Sequence, residues 1–557
     1  MVPRSGENFM DLSRRTFTSG ALSLAVGSQL AFPASAQGRP QLTAAIEAIR
    51  AYGQDHLDHF YLPGMTLGLA MPDGARTILN FGYANRDAST PITPDTLFQI
   101  GSISKVMVAL VLHQYAAEGR FHLTDRLNDL LPAIPFPKGN TIQVQHMLDH
   151  VAGLPGDAPA FPAGGLWTAY APGAHWHYSN TAYEILGKLV EHFGRKPLAQ
   201  LLQERIFAPL GMSRSRGAII GADRPFYAQG YEAADQVSAY ARGVPLAPAP
   251  WVDVTFGAGS VASTADDMLH FLRALGDAVQ GKGALRLSPL QGRVFATHAV
   301  PSELTNITYG NGLMHQSEGG RSYLHHTGGM LSFSSSFHVD NASGVGAFAS
   351  STLNAFAEYR PRLLTRFAVD ALTNAMGGQP VPAPPALLQP LANAGSYVGR
   401  YSGPAGSFEI RSGAPLTIIA AGQSAPLELV SDDVFRTAHS SFRQYSVKLE
   451  KSGLAGWGPN SYVREGSKAQ LPRSDLALAS LAGRYINDNP WFGPAPVVER
   501  GGKLWVGTET PITKIGDNLW RVGRESWSPE RASFSDFVDG RPQTLIWSGE
   551  KFVRHDV

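Results

Sequence analysis

The chain has 557 residues, 43% of them hydrophobic and 16% charged, which is more apolar material than a single globular core ordinarily organises. Lys and Arg number 46 against 45 Asp and Glu, so no net field draws the chain to nucleic acid or to an anionic membrane surface. Cysteine is absent, which excludes thiol catalysis, disulfides and Cys-ligated zinc.

Residues 1–36 read as an export signal. Ser13-Arg14-Arg15-Thr16-Phe17 precedes an apolar run from Gly20 to Phe32, and Ala34-Ser35-Ala36 stands just before Gln37. A paired arginine, a mildly apolar core and an A-x-A site describe a twin-arginine signal cleaved after Ala36, with the mature protein in the periplasm. The run is too short and too rich in Gly, Ser and Gln to span a bilayer, so no stable membrane insertion is expected.

From about residue 40 to 376, helix and strand signals mix. Met65–Met71 and Arg76–Tyr83 flank Pro72-Asp73-Gly74 and predict a hairpin. Val106–Glu118 is apolar nearly all round and ends at Gly119, which predicts a buried helix with a glycine stop. Thr181–Phe193, with Thr181 and Glu184 in capping-box spacing and Gly194 beyond, predicts another. Tyr323–His326, Phe333–Val339 and Val345–Ser350 read as strands.

A Pro-rich linker follows over 377–392, and what comes after it is strand-like and repeated. Tyr397-Val398-Gly399-Arg400-Tyr401 recurs as Leu481-Ala482-Gly483-Arg484-Tyr485, 84 positions later. Val434-Phe435-Arg436 matches Leu519-Trp520-Arg521, and Tyr462-Val463-Arg464 matches Phe552-Val553-Arg554. Ordered stations of this kind indicate a duplication. The expected organisation is a signal (1–36), a main domain (37–376), the linker, and two all-β barrel units over 393–468 and 476–557.

Three short motifs carry chemistry. Ser102-Ile103-Ser104-Lys105 opens the first buried helix, so that Ser102 and Lys105, three apart, share a helix face and the amine reaches the hydroxyl. Burial lowers a lysine pKa and makes it a base or a partner for a tyrosinate, and the helix N-terminus offers N–H groups to an oxyanion. Spacing alone is weak evidence, since Ser548-Gly549-Glu550-Lys551 repeats it without a helix to open. Tyr178-Ser179-Asn180 follows the turn residues Pro172-Gly173 and precedes a helix, unlike the other Tyr-x-Asn triplets at 83, 309 and 485. Tyr178 suits proton transfer, and Asn180 is either a substrate contact or a helix cap. His326-Thr327-Gly328-Gly329 occurs once, and its glycines let a substrate backbone approach closely and offer an oxyanion donor. Neighbouring His325 points to the opposite face and reads as structural.

Together with Met147-Leu148-Asp149-His150-Val151-Ala152-Gly153-Leu154-Pro155, Pro209-Leu210-Gly211-Met212 and Ser263-Thr264-Ala265-Asp266-Asp267-Met268, these motifs make residues 60–370 resemble the penicillin-recognising serine hydrolases. That family includes class C β-lactamases, DD-peptidases, D-aminopeptidases and related esterases. The resemblance implies an α/β, β-lactamase-like fold, an antiparallel five-stranded sheet flanked by helices plus a helical subdomain, here followed by lipocalin-like barrels. It implies Ser102 as acylated nucleophile, Lys105 as its partner and Tyr178 as general base and acid. Asn180 then contacts a substrate amide, His326-Thr327-Gly328-Gly329 forms the third motif, and the N–H groups of Ser102 and Gly329 form the oxyanion hole. No metal or organic cofactor is implied. The β-lactamases usually carry lysine where this chain has His326, and a mostly neutral histidine holds a carboxylate poorly. The resemblance is therefore to the D-aminopeptidase and esterase branches, and the repeated tail is similar to that of three-domain D-aminopeptidases, in which a barrel loop reaches over the active site.

The expected partner is a small peptide, with D-residues admitted, or else a small ester. A β-lactamase and a non-catalytic peptide receptor are the remaining readings, and a receptor has no need of Ser102, Lys105 and Tyr178 together. Zinc chemistry fails on spacing: His175-Trp176-His177 begins an H-x-H-x-D-H pattern that Ser179 and Asn180 break, and His146 and His150 lack H-E-x-x-H. The G-x-S-x-G elbow of an α/β-hydrolase is absent.

Overall fold

The computed structural model describes residues 39–137, 139–234, 241–353, 359–387, 391–431 and 433–555; the export signal read in residues 1–36 lies outside them. Strands Gly64–Ala70 and Arg76–Asn85 form the hairpin around Pro72-Asp73-Gly74. Gly64–Ala70 pairs on its other side with Gly346–Ser351, which pairs with Ser334–Asp340 and that in turn with Arg321–Gly329, all antiparallel. These five strands are the middle of a nine-stranded sheet, extended at one edge by Thr90–Pro91 and at the other by Leu313–Glu318, Ile307–Gly310 and Val300–Pro301.

Strands Gly64–Ala70, Ser334–Asp340 and Gly346–Ser351 are buried at every position, because both faces of the sheet are covered. Helices Arg39–His59 and Arg362–Met376 pack on the face bearing Leu67, Leu69, Ala347 and Ala349. Phe337, Val339 and Phe348 on the other face join the core of helices Ser104–Ala117, Asn180–Gly194 and Ala265–Val279. His325 lies away from the motif beside it, stacked on His338 with ring centroids 4.8 Å apart.

Two helix ends differ from the sequence-based expectation. The cap of Asn180–Gly194 is Ser179, not Thr181: its backbone is extended and its Oγ accepts the Ala182 N–H at 3.0 Å. The helix stops one residue later than expected, with Arg195 rather than Gly194 outside it and left-handed at φ 53°. Because Ser179 caps, the Asn180 side chain is free of that duty.

The tail forms two separate sheets. Residues 399–464 make a nine-stranded sheet whose edge strands, Gln423–Pro426 and Glu428–Ser431, follow one another in the chain, so that it curls into a nearly closed barrel. Residues 483–554 close an eight-stranded barrel. The repeated stations occupy matching places. Tyr401 Oη donates to the Tyr397 carbonyl at 2.9 Å, and Tyr485 Oη to the Leu481 carbonyl at 2.8 Å. Tyr401 pairs with Arg464 as Tyr485 pairs with Arg554, and the two guanidiniums reach the carbonyls of Ser396 and Ser480. Among the described residues no helix is long and apolar enough to cross a membrane.

Candidate functional site

Ser102 sits in a short 3-10 turn, Gly101–Ile103, that runs directly into the helix Ser104–Ala117, so it lies just ahead of the α-helix. The turn is pressed against the end of strand Arg321–Gly329. Gly101 adopts φ +55°, and a Cβ there would come 2.7 Å from both N and O of Gly329. A Cβ on Gly328 would come 1.9 Å from the Ile100 carbonyl oxygen. Backbone therefore packs on backbone, and the glycines of the third motif make that possible.

Lys105 is fully buried beneath this turn. Its Nζ lies 3.0 Å from Ser102 Oγ, 2.6 Å from Asn180 Oδ1 and 2.8 Å from the Ala258 carbonyl. It also stands 4.8 Å from the centre of the Tyr178 ring. Burial disfavours the ammonium and lowers the Lys105 pKa to about 7, against a smaller opposing pull from Asp157. Ser102, Tyr178 and Asn180 are each half-buried. Burial pushes the Tyr178 phenol well above its ordinary value, although a hydrogen bond with Ser102 pulls the other way.

His326 is buried, with Nδ1 2.6 Å from the Thr327 carbonyl and Nε2 3.3 Å from Tyr309 Oη. The first contact requires hydrogen on Nδ1, so Nε2 accepts from the phenol. Burial, then the Lys105 charge, lower the His326 pKa to about 3, so the ring is neutral throughout the physiological range. Thr327 is half-buried on the same strand. The three sequence motifs thus converge in one place, with the Tyr178 and His326 rings 6.3 Å apart.

Several residues around these motifs were assigned no role from the sequence. Asp157 Oδ1 accepts from Asn180 Nδ2 at 2.8 Å and from Trp491 Nε1, in the closed barrel, at 3.5 Å. His150, read for its spacing from His146 and as part of the Met147–Pro155 stretch but given no role at the site, packs its ring 4.3 Å from that of Tyr178 and accepts the Ser179 N–H. Tyr309, set aside among the extra Tyr-x-Asn triplets, joins the same aromatic cluster. Glu530 reaches in from the closed barrel to Gly156 and His177. Asp157 and Glu530 belong to no short motif, and their proximity arises only in the folded chain. Ser548, the serine of the second Ser-x-x-Lys, is buried in the barrel turn and bonds to Glu530. Among the described residues no group of three or more His, Cys, Asp or Glu is arranged to hold a metal ion.

Comparison with known proteins matches this region to one family. The sequence profile described as Beta-lactamase matches residues 49–370. A β-lactamase of Pseudomonas fluorescens is 28% identical over 250 residues, 43% of this chain and 66% of that protein. A penicillin-binding protein 4 of Amycolatopsis lactamdurans is 27% identical over 185 residues, 30% of this chain and 48% of the relative. In both cases the chain spans less than two thirds of the relative's own length. The solved structure of an octameric penicillin-binding protein homologue from Pyrococcus abyssi superposes with a TM-score of 0.54 at 19% identity, covering 75% of this chain and all of that one, which shows a shared fold. With its profile match extending over more than half of its length, the chain belongs to the β-lactamase family of serine hydrolases.

Proposed function

We propose that this protein is an exported hydrolase that cleaves small peptides or amides bearing a free amine, through an acyl-enzyme on Ser102. The observation that carries the reading is the Lys105 amine, buried, held 3.0 Å from the Ser102 hydroxyl and with its pKa lowered to about 7. A neutral amine has two hydrogens and one lone pair. With the hydrogens on Asn180 and Ala258, the lone pair faces the serine.

Lys105 then takes the Ser102 proton as Oγ attacks the substrate carbonyl, and the backbone N–H groups of Ser102 and Gly329 receive the oxyanion. Tyr178, kept as a phenol by burial, hands its proton to the leaving nitrogen and recovers one from the Lys105 ammonium. Water completes the cycle in reverse: it loses its proton through the same pair, attacks the acyl carbonyl, and Ser102 leaves as the hydroxyl.

Substrate charge follows from the electrostatics. His326 is neutral where a carboxylate-holding cation would stand, while Asp157 lies one side chain from Lys105. Glu184 and Glu550 are close enough to Asp157 for its charge to help raise both, burial being the larger cause. Asp157 and the neutral His326 favour an ammonium over a carboxylate, against the Arg360 charge that reaches Tyr178. The export signal read in residues 1–36 supports a periplasmic location for this activity.

The test is a rate comparison on p-nitroanilides of D- and L-amino acids, their N-acetyl forms, p-nitrophenyl esters and nitrocefin. Free-amine anilides should be turned over at least about tenfold faster than their acetylated forms, a gap that one charge-assisted hydrogen bond supplies. Indifference to acetylation, with esters strongly preferred, overturns the amine reading in favour of an esterase.

A further inference from the structure

We infer that Glu530, supplied by the closed barrel, is a positioning residue for the hydrolytic site, locking with one carboxylate the two segments that carry Asp157 and Tyr178-Asn180. The inference rests on the hydrolase reading above.

Glu530 lies far outside the family-matched residues 49–370, immediately before strand Arg531–Val538. Its side chain is 13% exposed. Oε1 accepts the Gly156 N–H at 2.6 Å and meets His177 Nε2 at 2.9 Å, while Oε2 accepts the Ser548 hydroxyl. A carboxylate only accepts, so His177 Nε2 carries hydrogen. Burial alone would raise this carboxyl, but its hydrogen-bond donors hold it below the ordinary range, and it remains charged.

The two contacts on Oε1 fall where position matters. Gly156 precedes Asp157, and its carbonyl accepts the N–H groups of Asn180 at 2.7 Å and Thr181 at 3.1 Å. Gly156 is thus held from the barrel through its N–H and by the helix N-terminus through its carbonyl. His177 precedes Tyr178, and its own N–H is held by the His150 carbonyl at 2.8 Å. Displacing Glu530 removes one hold from both segments at once.

The barrel holds Glu530 through its own backbone, the carbonyl accepting the Val522 N–H at 2.9 Å and the N–H donating to Ser528 Oγ at 3.3 Å, and the main domain grips the same segment. Trp527 stacks on His175 at 4.4 Å and 9°, and the Trp167 indole donates to the Pro529 carbonyl at 2.8 Å. A rigid outer element aiming a charge at donors flanking the proton-transfer residue is a device for orientation, and misplacement by about 1 Å costs on the order of 10² in rate.

The experiment uses the full-length protein with Glu530→Ala, Glu530→Asp, Glu530→Gln and Ser548→Ala. It reads kcat and KM on the fastest anilide, the rate of fluorophosphonate attachment to Ser102, and Tm. Positioning predicts that Glu530→Ala loses about 10- to 100-fold in kcat and in attachment rate, with KM changed by less than about threefold. Glu530→Gln, whose amide oxygen can take the place of Oε1 while its NH2 donates to the Ser548 hydroxyl, should retain more than Glu530→Ala, and Ser548→Ala, which spares both Oε1 contacts, should likewise lose less. Should Glu530→Ala not fold, Glu530→Asp, which withdraws the carboxylate by one methylene from Gly156 and His177, carries the same prediction against Ser548→Ala. Rates within about twofold of wild type, or a loss confined to KM or Tm, overturn the inference. If the wild-type protein itself takes no label at Ser102, it is the hydrolase reading that fails.

Discussion

Lys105 and His326 show how burial sets the chemistry of single residues. Both lose affinity for a proton, but Lys105 arrives at about 7, where it titrates within the working range, and His326 at about 3, where it does not. The neutral amine is the active base and is lost as pH falls through its folded pKa. The value of kcat/KM should therefore fall about tenfold per pH unit below about 7 and level off above it. A profile flat from pH 5 to 8 would remove Lys105 from the role of base. Asp157 provides a second residue-level test: Asp157→Asn should cost on the order of 10- to 100-fold in kcat/KM on free-amine anilides and little on acetylated ones. Equal losses on both would make Asp157 a structural anchor for Asn180 alone. Ser102, Lys105 and Tyr178 were legible in the sequence because each belongs to a local pattern. Asp157 and Glu530 were not, because neither a lone Asp after Pro155-Gly156 nor a Glu in a β-turn region has a pattern, and their partners lie 23 and more than 350 residues away.

At the scale of elements, the site depends on a turn and a strand end meeting without side chains between them. Gly328 leaves no room for a Cβ against the Ile100 carbonyl, and a backbone group cannot swing away as a side chain tip does. Gly328→Ala should push the Gly329 N–H away from Ser102 and reduce kcat on the order of 10² or more. Steady-state kinetics of the folded variant, verified by circular dichroism, provide the check, and unchanged kcat would argue against an oxyanion role for Gly329. Periodicity and glycine placement made the main helices and central strands readable. Helix Ser104–Ala117 is apolar on every side because it is buried on every side, and it stops at Gly119 with φ +74°. The cap of Asn180–Gly194 was misread because Ser179, Asn180 and Thr181 are all competent caps. Only the third dimension shows that Lys105 and Asp157 engage the Asn180 side chain.

For the whole molecule, the 84-residue spacing made the duplication readable, and the two units form separate sheets with matching Tyr–carbonyl and Arg–carbonyl anchors. The sequence contained no sign of which barrel would face the site. The closed barrel does, through Trp491, Trp527 and Glu530. Docking and turnover should therefore weaken together. Trp527→Ala removes the stack on His175, a contact of about 0.5–1.5 kcal/mol. It should lower kcat and speed proteolytic nicking between the barrels in parallel; faster nicking with full activity would show the tail to be an independent appendage. The central claim is covalent, so intact mass measurement after incubation with a fluorophosphonate tests it most directly. One adduct per chain should appear, mapped to the Ser102 peptide and absent from Ser102→Ala, whereas an unlabelled wild-type protein, or an adduct persisting in Ser102→Ala, would contradict it.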